Sequence, residues 1–340
     1  MAAKLRRKLI TFVLTVTLSL ACLLTQLSIR KKQRLSQHLE KFAVGSNSPV
    51  CIARSQCCTV GFVSQRRNGL GNHLFFYAGV MYVAWLTGRK PFILSSSNLN
   101  KLDKAFHLDI AHMDNNAQCP VNEFIDNVVY AYNVDIESLS NVEANVSVWL
   151  RGYFCSWKYT KPIEGQLRRN LQFRSELTKF AATFLSANVP GGWKVSTFVR
   201  VGVHVRRGDF LSDWAVRAGF TVASKQYLNR AMAYFVKRYA QVQFIVASND
   251  IDWCCNNINA SYFDQTSVNI TFSVRHSTEQ DLALLASCDH AIMTTGTFGW
   301  WAAWLANGTT IYYKDFPRRG SRLWQVSTAA DYFPQKWIGM

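Results

Sequence analysis

The second half of the chain alternates short runs of strong β-formers with helical stretches, and few architectures accept that alternation. Phe198–Val205, Gln243–Ala247, Asn269–Val274, His290–Met293 and Thr310–Tyr313 read as strands. Between them Ser224–Tyr239, Ile251–Ile258, Glu279–Ser287 and Thr297–Leu305 read as helices, the first with apolar spacing at Tyr227, Leu228, Ala231, Tyr234 and Phe235. Strand and helix at this spacing predict parallel βαβ units. The first half is fainter. Thr59–Val63 and Pro91–Leu94 read as strands, as do segments around Val128–Tyr132 and Val146–Leu150. A long apolar helix is expected from Asn72 to about Leu86, after the Gly69-Leu-Gly71 turn, and helical patterning returns over Ile163–Asn188. The run Val189-Pro-Gly-Gly-Trp193 interrupts the pattern as a linker. The expectation is an α/β body of two facing Rossmann-like halves, residues 58–190 and 198–340.

The formal net charge of +17 invites a nucleic-acid reading, but its distribution argues otherwise. Residues 1–41 carry +8, clustered on either side of one uncharged segment, Leu9–Ile29. At about 1.5 Å per residue that segment spans roughly 30 Å, the thickness of a bilayer core. A cleaved signal peptide ending near Ala21 is the rival; the length favours an uncleaved signal-anchor. Flanking charge leaves the orientation open. The sequons at Asn145, Asn259, Asn269 and Asn307 favour a luminal body. Asn307 adjoins a predicted core helix, so its burial is expected. The expected order is a cytoplasmic tail (1–8), a transmembrane helix (9–29), a stem (30–57) and the body. Nine cysteines fit an oxidising compartment, and none are spaced as a zinc pair, so no structural metal is expected.

Four constellations carry candidate chemistry. His204-Val-Arg206-Arg207-Gly-Asp209 ends a buried strand, where open α/β sheets place ligands. Adjacent arginines on a strand point to opposite faces, so one can grip a phosphate while the other braces the site. A structural Arg–Asp pair is the plainer alternative. Thr294-Thr295-Gly296-Thr297-Phe298 joins a strand to a helix, and free amides at a helix start make an anion cradle. The plainer alternative is a capped helix packing Trp300, Trp301 and Trp304 into the core. Asn72 and His73 begin the helix after Gly71, where they can face a cleft or simply start a core helix. Asp281, in Glu279-Gln-Asp281, offers a carboxylate that matches paired N–H donors such as a guanine edge, or caps its helix. Asp250-Ile-Asp252 fits either a D-x-D cation site or ordinary capping.

Together and in this order, these segments resemble the inverting galactoside α-1,2-fucosyltransferases, glycosyltransferase family 11. The family's H-x-R-R-x-D matches His204, Arg206, Arg207 and Asp209, and its G-T-F-G-W-W-A-A-x-L-A pattern matches Gly296 to Ala306. Ser248-Asn-Asp-Ile-Asp-Trp253 and Arg151-Gly-Tyr-Phe-Cys-Ser-Trp-Lys-Tyr159 are similar to two further family segments. The likeness covers about residues 58–315. One departure stands out: the family's G-R-x-G-N-Q reads Asn68-Gly-Leu-Gly-Asn-His73 here.

The resemblance implies a GT-B fold that moves L-fucose from GDP-β-L-fucose to the 2-hydroxyl of a terminal β-galactoside on a glycoprotein or glycolipid. It implies no metal and no other cofactor. Arg206 would hold the β-phosphate. The acceptor hydroxyl calls for a general base, for which Asp209 is one candidate, with Asp213 and residues across the cleft as the others. His204, Arg207, Asp281, Thr295, Gly296, Thr297, Phe298 and Asn72 would line the donor, and the N-terminal half would take the acceptor. The implied location is the Golgi membrane, type II, with the body luminal. A metal-dependent GT-A transferase using Asp250 and Asp252, or an inactive glycan-binding protein, are the competing readings. No nucleic-acid partner is expected.

Overall fold

The computed structural model describes residues 59–62, 68–94, 98–108, 110–113, 120–263 and 267–340. The expected tail, transmembrane segment and stem lie outside them. Among the described residues no helix is long and apolar enough to cross a membrane.

Two parallel sheets build the body. The first holds β1 (Thr59–Phe62), β2 (Lys90–Leu94), β3 (Ala111–Met113), β4 (Val121–Ile125) and β5 (Ser147–Arg151), in the order β3-β2-β1-β5-β4. The second holds β6 (Val199–Val205), β7 (Val242–Ser248), β8 (Val268–Phe272), β9 (His290–Met293), β10 (Thr310–Tyr312) and β11 (Ile338–Gly339). Its order, β8-β7-β6-β9-β10-β11, is the doubly wound pattern, which reverses direction between β6 and β9. The loops leaving those two strands bound the crevice where such sheets bind ligands.

β6 shows why it sits at the centre. Val201, Val203 and Val205 pack on one face with the apolar stripe of α3 (Lys225–Val236), including Tyr227, Leu228 and Phe235. Gly202 and His204 turn to the other face. A Cβ on Gly202 would lie 3.1 Å from the Leu285 carbonyl, so α5 (Thr278–Ala286) presses directly on the strand. β6 alternates valine with Arg200, Gly202 and His204, and it is covered on both faces from Val201 to Val205.

α1 (Leu70–Thr87) joins the two sheets. It is apolar around its circumference and buried from Leu70 to Trp85, apart from the half-buried Asn72. One side packs on the first sheet, with Phe76 stacked on Phe62 at 4.1 Å. The other meets α6 (Thr297–Ala306), with Phe75 at 4.7 Å from Trp300 and 5.1 Å from Trp301. A single apolar core therefore runs from Phe62 through Phe76 and Trp300 to Tyr332 and Phe333. Truncating a ring such as Phe75 to Ala in this core costs about 3–5 kcal/mol.

Two expected elements are corrected. Val128–Tyr132 is no strand; the strand of that region is β4, a few residues upstream in the edge position, and mostly exposed. Tyr130 has φ +53° and packs its ring on Tyr332 at 4.5 Å, so the apolar run serves a contact between the halves. The helical run Ile163–Asn188 is broken into Glu164–Asn170 and α2 (Ser175–Ala187). Between them Phe173 bridges to Phe106.

Candidate active site

The crevice forms where β6 and β9 end. β6 delivers Arg206 and Arg207, and the structure gives the two guanidinium groups different work. Arg206 lies over the Phe210 ring at 5.3 Å and pairs with Asp209 at 2.8 Å, with a third of its side chain open to solvent. Its backbone N–H donates to the Thr294 hydroxyl at 2.8 Å, so the ends of β6 and β9 are tied together. Arg207 turns the other way. It stacks on Trp253 at 3.8 Å, reaches Asp250 with Nε at 3.2 Å and is only 14% exposed. Arg206 faces the crevice, and Arg207 braces the loop from beneath.

Asn249 completes that brace. Its Oδ1 accepts the Arg207 N–H at 2.9 Å, and its Nδ2 lies 3.4 Å from Asp209. The loop can approach so closely because residue 208 is glycine: a Cβ there would fall 2.2 Å from Asn249 Nδ2. Asn249, Trp253 and Thr294 belong to the site's frame; the motifs contain them, but their spacing does not show that they brace Arg206 and Arg207. They meet Arg206 and Arg207 through contacts across the sheet, which a linear motif does not display.

β9 delivers the other wall. Thr294 and Thr295 are fully buried, and the Thr295 hydroxyl finds no partner among the described residues. Gly296 then adopts φ +87°, a conformation that side chains disfavour, and starts α6 without any side-chain cap. α1 also starts uncapped, at Gly69. The two starts converge: the Thr297 hydroxyl donates to Asn72 Oδ1 at 2.7 Å, and a Cβ on Gly71 would lie 2.5 Å from the Phe298 nitrogen. Two helix starts without side-chain caps, each a positive dipole end, thus adjoin a partly open arginine.

The remaining expected residues are spread around this centre. His204 is buried beneath the first turn of α6, its ring 5.0 Å from Phe298, and a Cβ on Gly299 would strike Nδ1 at 2.5 Å. Burial, aided by the Arg206 charge, lowers its pKa to about 3, so the imidazole is neutral. His73 is fully buried with neither ring nitrogen partnered, and burial, then Lys101, lowers it to about 4. Asp281 is held by the Ser273 hydroxyl at 2.5 Å, at the end of β8, and burial raises its pKa. The end of β8, where Ser273 holds it, is two strands along the sheet from β6. Asp250 has its carboxylate taken up by Arg207, and Asp252 sits in the first turn of α4 (Ile251–Asn257).

In the first half Asp126, just past the end of β4, is buried against Gly152 and Phe154. Its Oδ2 accepts the Phe154 N–H at 2.8 Å, Oδ1 is buried without a partner, and burial raises its pKa to about 6. The sequons separate by environment. Asn145, Asn259 and Asn307 are exposed, which corrects the expected burial of Asn307. Asn307 caps α6 at φ +61°, its Oδ1 accepting from Arg168 and Lys336. Asn269 lies in β8, half-buried, its Oδ1 accepting from Thr271 at 3.0 Å.

A doubly wound sheet whose switch point presents a partly open arginine beside an uncapped helix start is an arrangement that can take a phosphorylated ligand. The sequence profile of glycosyl transferase family 11 matches residues 26–340, and the chain belongs to that family. It is 33% identical over 276 residues to galactoside alpha-(1,2)-fucosyltransferase 2 of Rattus norvegicus, covering 80% of this chain and 74% of that protein. It is 31% identical over 300 residues to galactoside alpha-(1,2)-fucosyltransferase 1 of Mus musculus, covering 87% and 76%. In fold it is similar to a mutant of Arabidopsis thaliana FUT1 solved in complex with GDP, with TM-score 0.53 and 12% identity over 84% of this chain and 77% of that one. The α/β body with two parallel sheets is thus of the glycosyltransferase type.

Proposed function

We propose that the protein is an inverting galactoside 2-α-L-fucosyltransferase. It moves L-fucose from GDP-β-L-fucose to the 2-hydroxyl of a terminal β-galactoside. The observation that carries this reading is Arg206, half-open and oriented by Asp209, beside the unpartnered Thr295 hydroxyl and the uncapped start of α6. Its relatives are α-1,2-fucosyltransferases.

The reaction is a single displacement. The acceptor oxygen forms a bond to the fucose anomeric carbon as the bond from that carbon to the β-phosphate oxygen breaks. The departing electron pair stays on GDP, and the hydroxyl proton leaves to a base. Charge develops on the leaving phosphate, so a fixed cation and oriented N–H donors there lower the barrier most. In this reading Arg206, the Thr295 hydroxyl and the amides around Gly296 would hold it, while Thr297, whose proton goes to Asn72, and Phe298 shape the wall beside it. The nucleoside then extends along the sheet edge past β6 and β7 towards Asp281. Asp209 acts chiefly on Arg206, engaged by its guanidinium and by the Asn249 carboxamide. Arg207 keeps the loop in place, and Asn72 locks the opposite helix to Thr297. In this reading no metal is needed, because Arg206 and the helix start meet the phosphate charge.

The location we propose is the Golgi membrane, with residues 9–29 as a type II signal-anchor and the body luminal. The uncharged segment and the exposed sequons Asn145, Asn259 and Asn307 support it.

Nucleotide selectivity tests the donor assignment. The full-length protein in detergent is unfolded thermally with GDP, UDP or ADP, each with and without EDTA. GDP alone is expected to raise Tm, equally in EDTA; about 2.7 kcal/mol is gained when ligand stands at 100 times Kd. A shift from UDP, or one that EDTA removes, would sink the reading and favour the GT-A alternative.

A further inference from the structure

We infer that the acceptor's saccharide arm lies on an aromatic rim beside Arg206, with Trp214 and Trp324 as its platforms. The inference rests on the proposed transfer to a galactoside and adds where the sugars beyond the reacting galactose are held.

Five large apolar side chains stand out in solvent on adjoining segments: Leu211 (48%), Trp214 (56%), Val216 (47%), Trp324 (50%) and Val326 (39%). Backbone contacts join them into one surface. Arg318 donates from its backbone to the Gly219 carbonyl at 2.9 Å and from Nη2 to the Val216 carbonyl at 3.1 Å. Gly219 admits this because it has no side chain: a Cβ would lie 2.0 Å from the Ser321 hydroxyl. The short helix Arg322–Gln325 then carries Trp324. At its far end the Val326 carbonyl accepts the Val129 N–H at 3.1 Å, so the surface reaches the first half of the body.

Packed rings link the rim to the reacting centre beneath the surface. Trp214 packs on Phe220 at 5.7 Å, Phe220 on Phe210 at 4.5 Å, and Phe210 lies 5.3 Å from the Arg206 guanidinium. Tyr130, in its left-handed conformation, reaches the same cluster through Phe316 at 5.3 Å. An indole is normally among the largest contributors to a buried core or an interface, so two half-exposed ones on this rim are out of place unless something covers them.

The chemistry fits a saccharide. A pyranose has one face of C–H groups, which suits a flat, rigid ring, and an edge of hydroxyls that needs donors. Arg217, Arg318, Arg319 and Arg322 are exposed around the two indoles and supply them. Trp and Arg are the side chains that most often dominate binding energy. Geometry singles out the acceptor among possible occupants. A galactose whose 2-hydroxyl meets a sugar held at Arg206 sits beside Phe210, and its next residue is laid across the rim.

The test uses full-length protein in detergent with Trp214→Ala, Trp324→Ala and the control Trp214→Phe. Both tryptophans are half-exposed, so little stability is at stake. Transfer is measured to a soluble β-galactosyl disaccharide and to methyl β-galactoside, GDP affinity by calorimetry, and disaccharide binding by saturation-transfer NMR with GDP present. Each alanine variant is expected to raise KM for the disaccharide about tenfold. KM for the methyl galactoside and GDP affinity should stay as in wild type, and Trp214→Phe should recover most of the loss. Unchanged disaccharide KM in an active protein overturns the inference. So does loss of binding to anionic vesicles with acceptor KM intact, which would make the rim a membrane surface. If the wild type transfers fucose to no galactoside, the functional reading has failed. The NMR signal then decides the rim alone: a saturation-transfer signal that is present in wild type and vanishes in Trp214→Ala upholds it, and no signal in wild type refutes it.

Discussion

The Thr297 hydroxyl donates to the Asn72 carboxamide at 2.7 Å, across 225 residues of sequence. That bond fastens the first turn of α1, which packs on the first sheet, to the first turn of α6, which begins at the end of β9. It also brings two positive helix ends near Arg206, an arrangement that an anion relieves.

The fastening depends on glycine at 71. A Cβ there would meet backbone atoms of Thr297 and Phe298 at 2.5–2.6 Å, and backbone cannot swing aside. Gly71→Ala is expected to cost about 2 kcal/mol of stability by overpacking. It should also weaken GDP binding, because α6 carries the phosphate cradle. Urea unfolding and GDP calorimetry check both; wild-type values in both would show that the helices part freely.

Arg206 and Arg207 should separate cleanly under mutation. Arg206→Ala is expected to lower kcat/KM by about a thousandfold, the scale of losing a preorganised charge donor, with Tm nearly unchanged. Arg207→Ala leaves Asp250 unpaired and Trp253 uncovered, so it should lower stability by about 1–2 kcal/mol. Paired kinetics and thermal unfolding decide. Activity in Arg206→Ala close to wild type would refute the assignment.

Acid stability carries a signature of buried imidazoles. His204 and His73 titrate at about 3 and about 4 in the folded protein, against 6.5 ordinarily. Between pH 6.5 and 4 the unfolded chain therefore binds protons that the folded one refuses. Their contribution is intact above pH 6.5 and lost as pH falls. Asp126 has the opposite sign: its pKa, raised from 3.8 to about 6, favours the folded state at low pH, and that gain is lost as pH rises through 6. His73→Gln is expected to flatten the decline from pH 6.5 to 4.5 in urea unfolding. An unaltered slope would mean that His73 is not buried and neutral.

The sequons should differ in use. In a eukaryotic secretory host, mass spectrometry of glycopeptides is expected to find sugar at Asn145, Asn259 or Asn307 and little at Asn269, which lies in β8 and is bonded to Thr271. Full occupancy at Asn269 alone would contradict the placement of that strand.

The second sheet is legible in the sequence because its central strands are largely buried and read as short apolar runs between helical stretches: His290–Met293 reads correctly to the residue. The first sheet is not. β4 is mostly exposed at the edge and carries Asn122 and Glu123, so its composition reads as loop, while the apolar run at Tyr130 is drawn to Tyr332 and Phe316. At the site, local spacing discloses Arg206 with Asp209, three residues apart. It also sets the two arginines on opposite faces. It does not disclose Asn249 or Thr294, whose bonds to the Arg206–Arg207 backbone close 42 and 88 residues of chain. His204 is expected from the motif to meet the nucleoside; its burial beneath Phe298 and Gly299 follows from helix packing, which no spacing encodes.

The most direct measurement is the product itself. Full-length protein is incubated with GDP-β-L-fucose, EDTA and a β-galactoside, and the product is examined by mass and NMR. The account predicts one fucose per acceptor, α-linked to the galactose 2-hydroxyl, formed undiminished in EDTA. A β-linked product, fucose on another hydroxyl, or GDP binding with no transfer to any galactoside would contradict it.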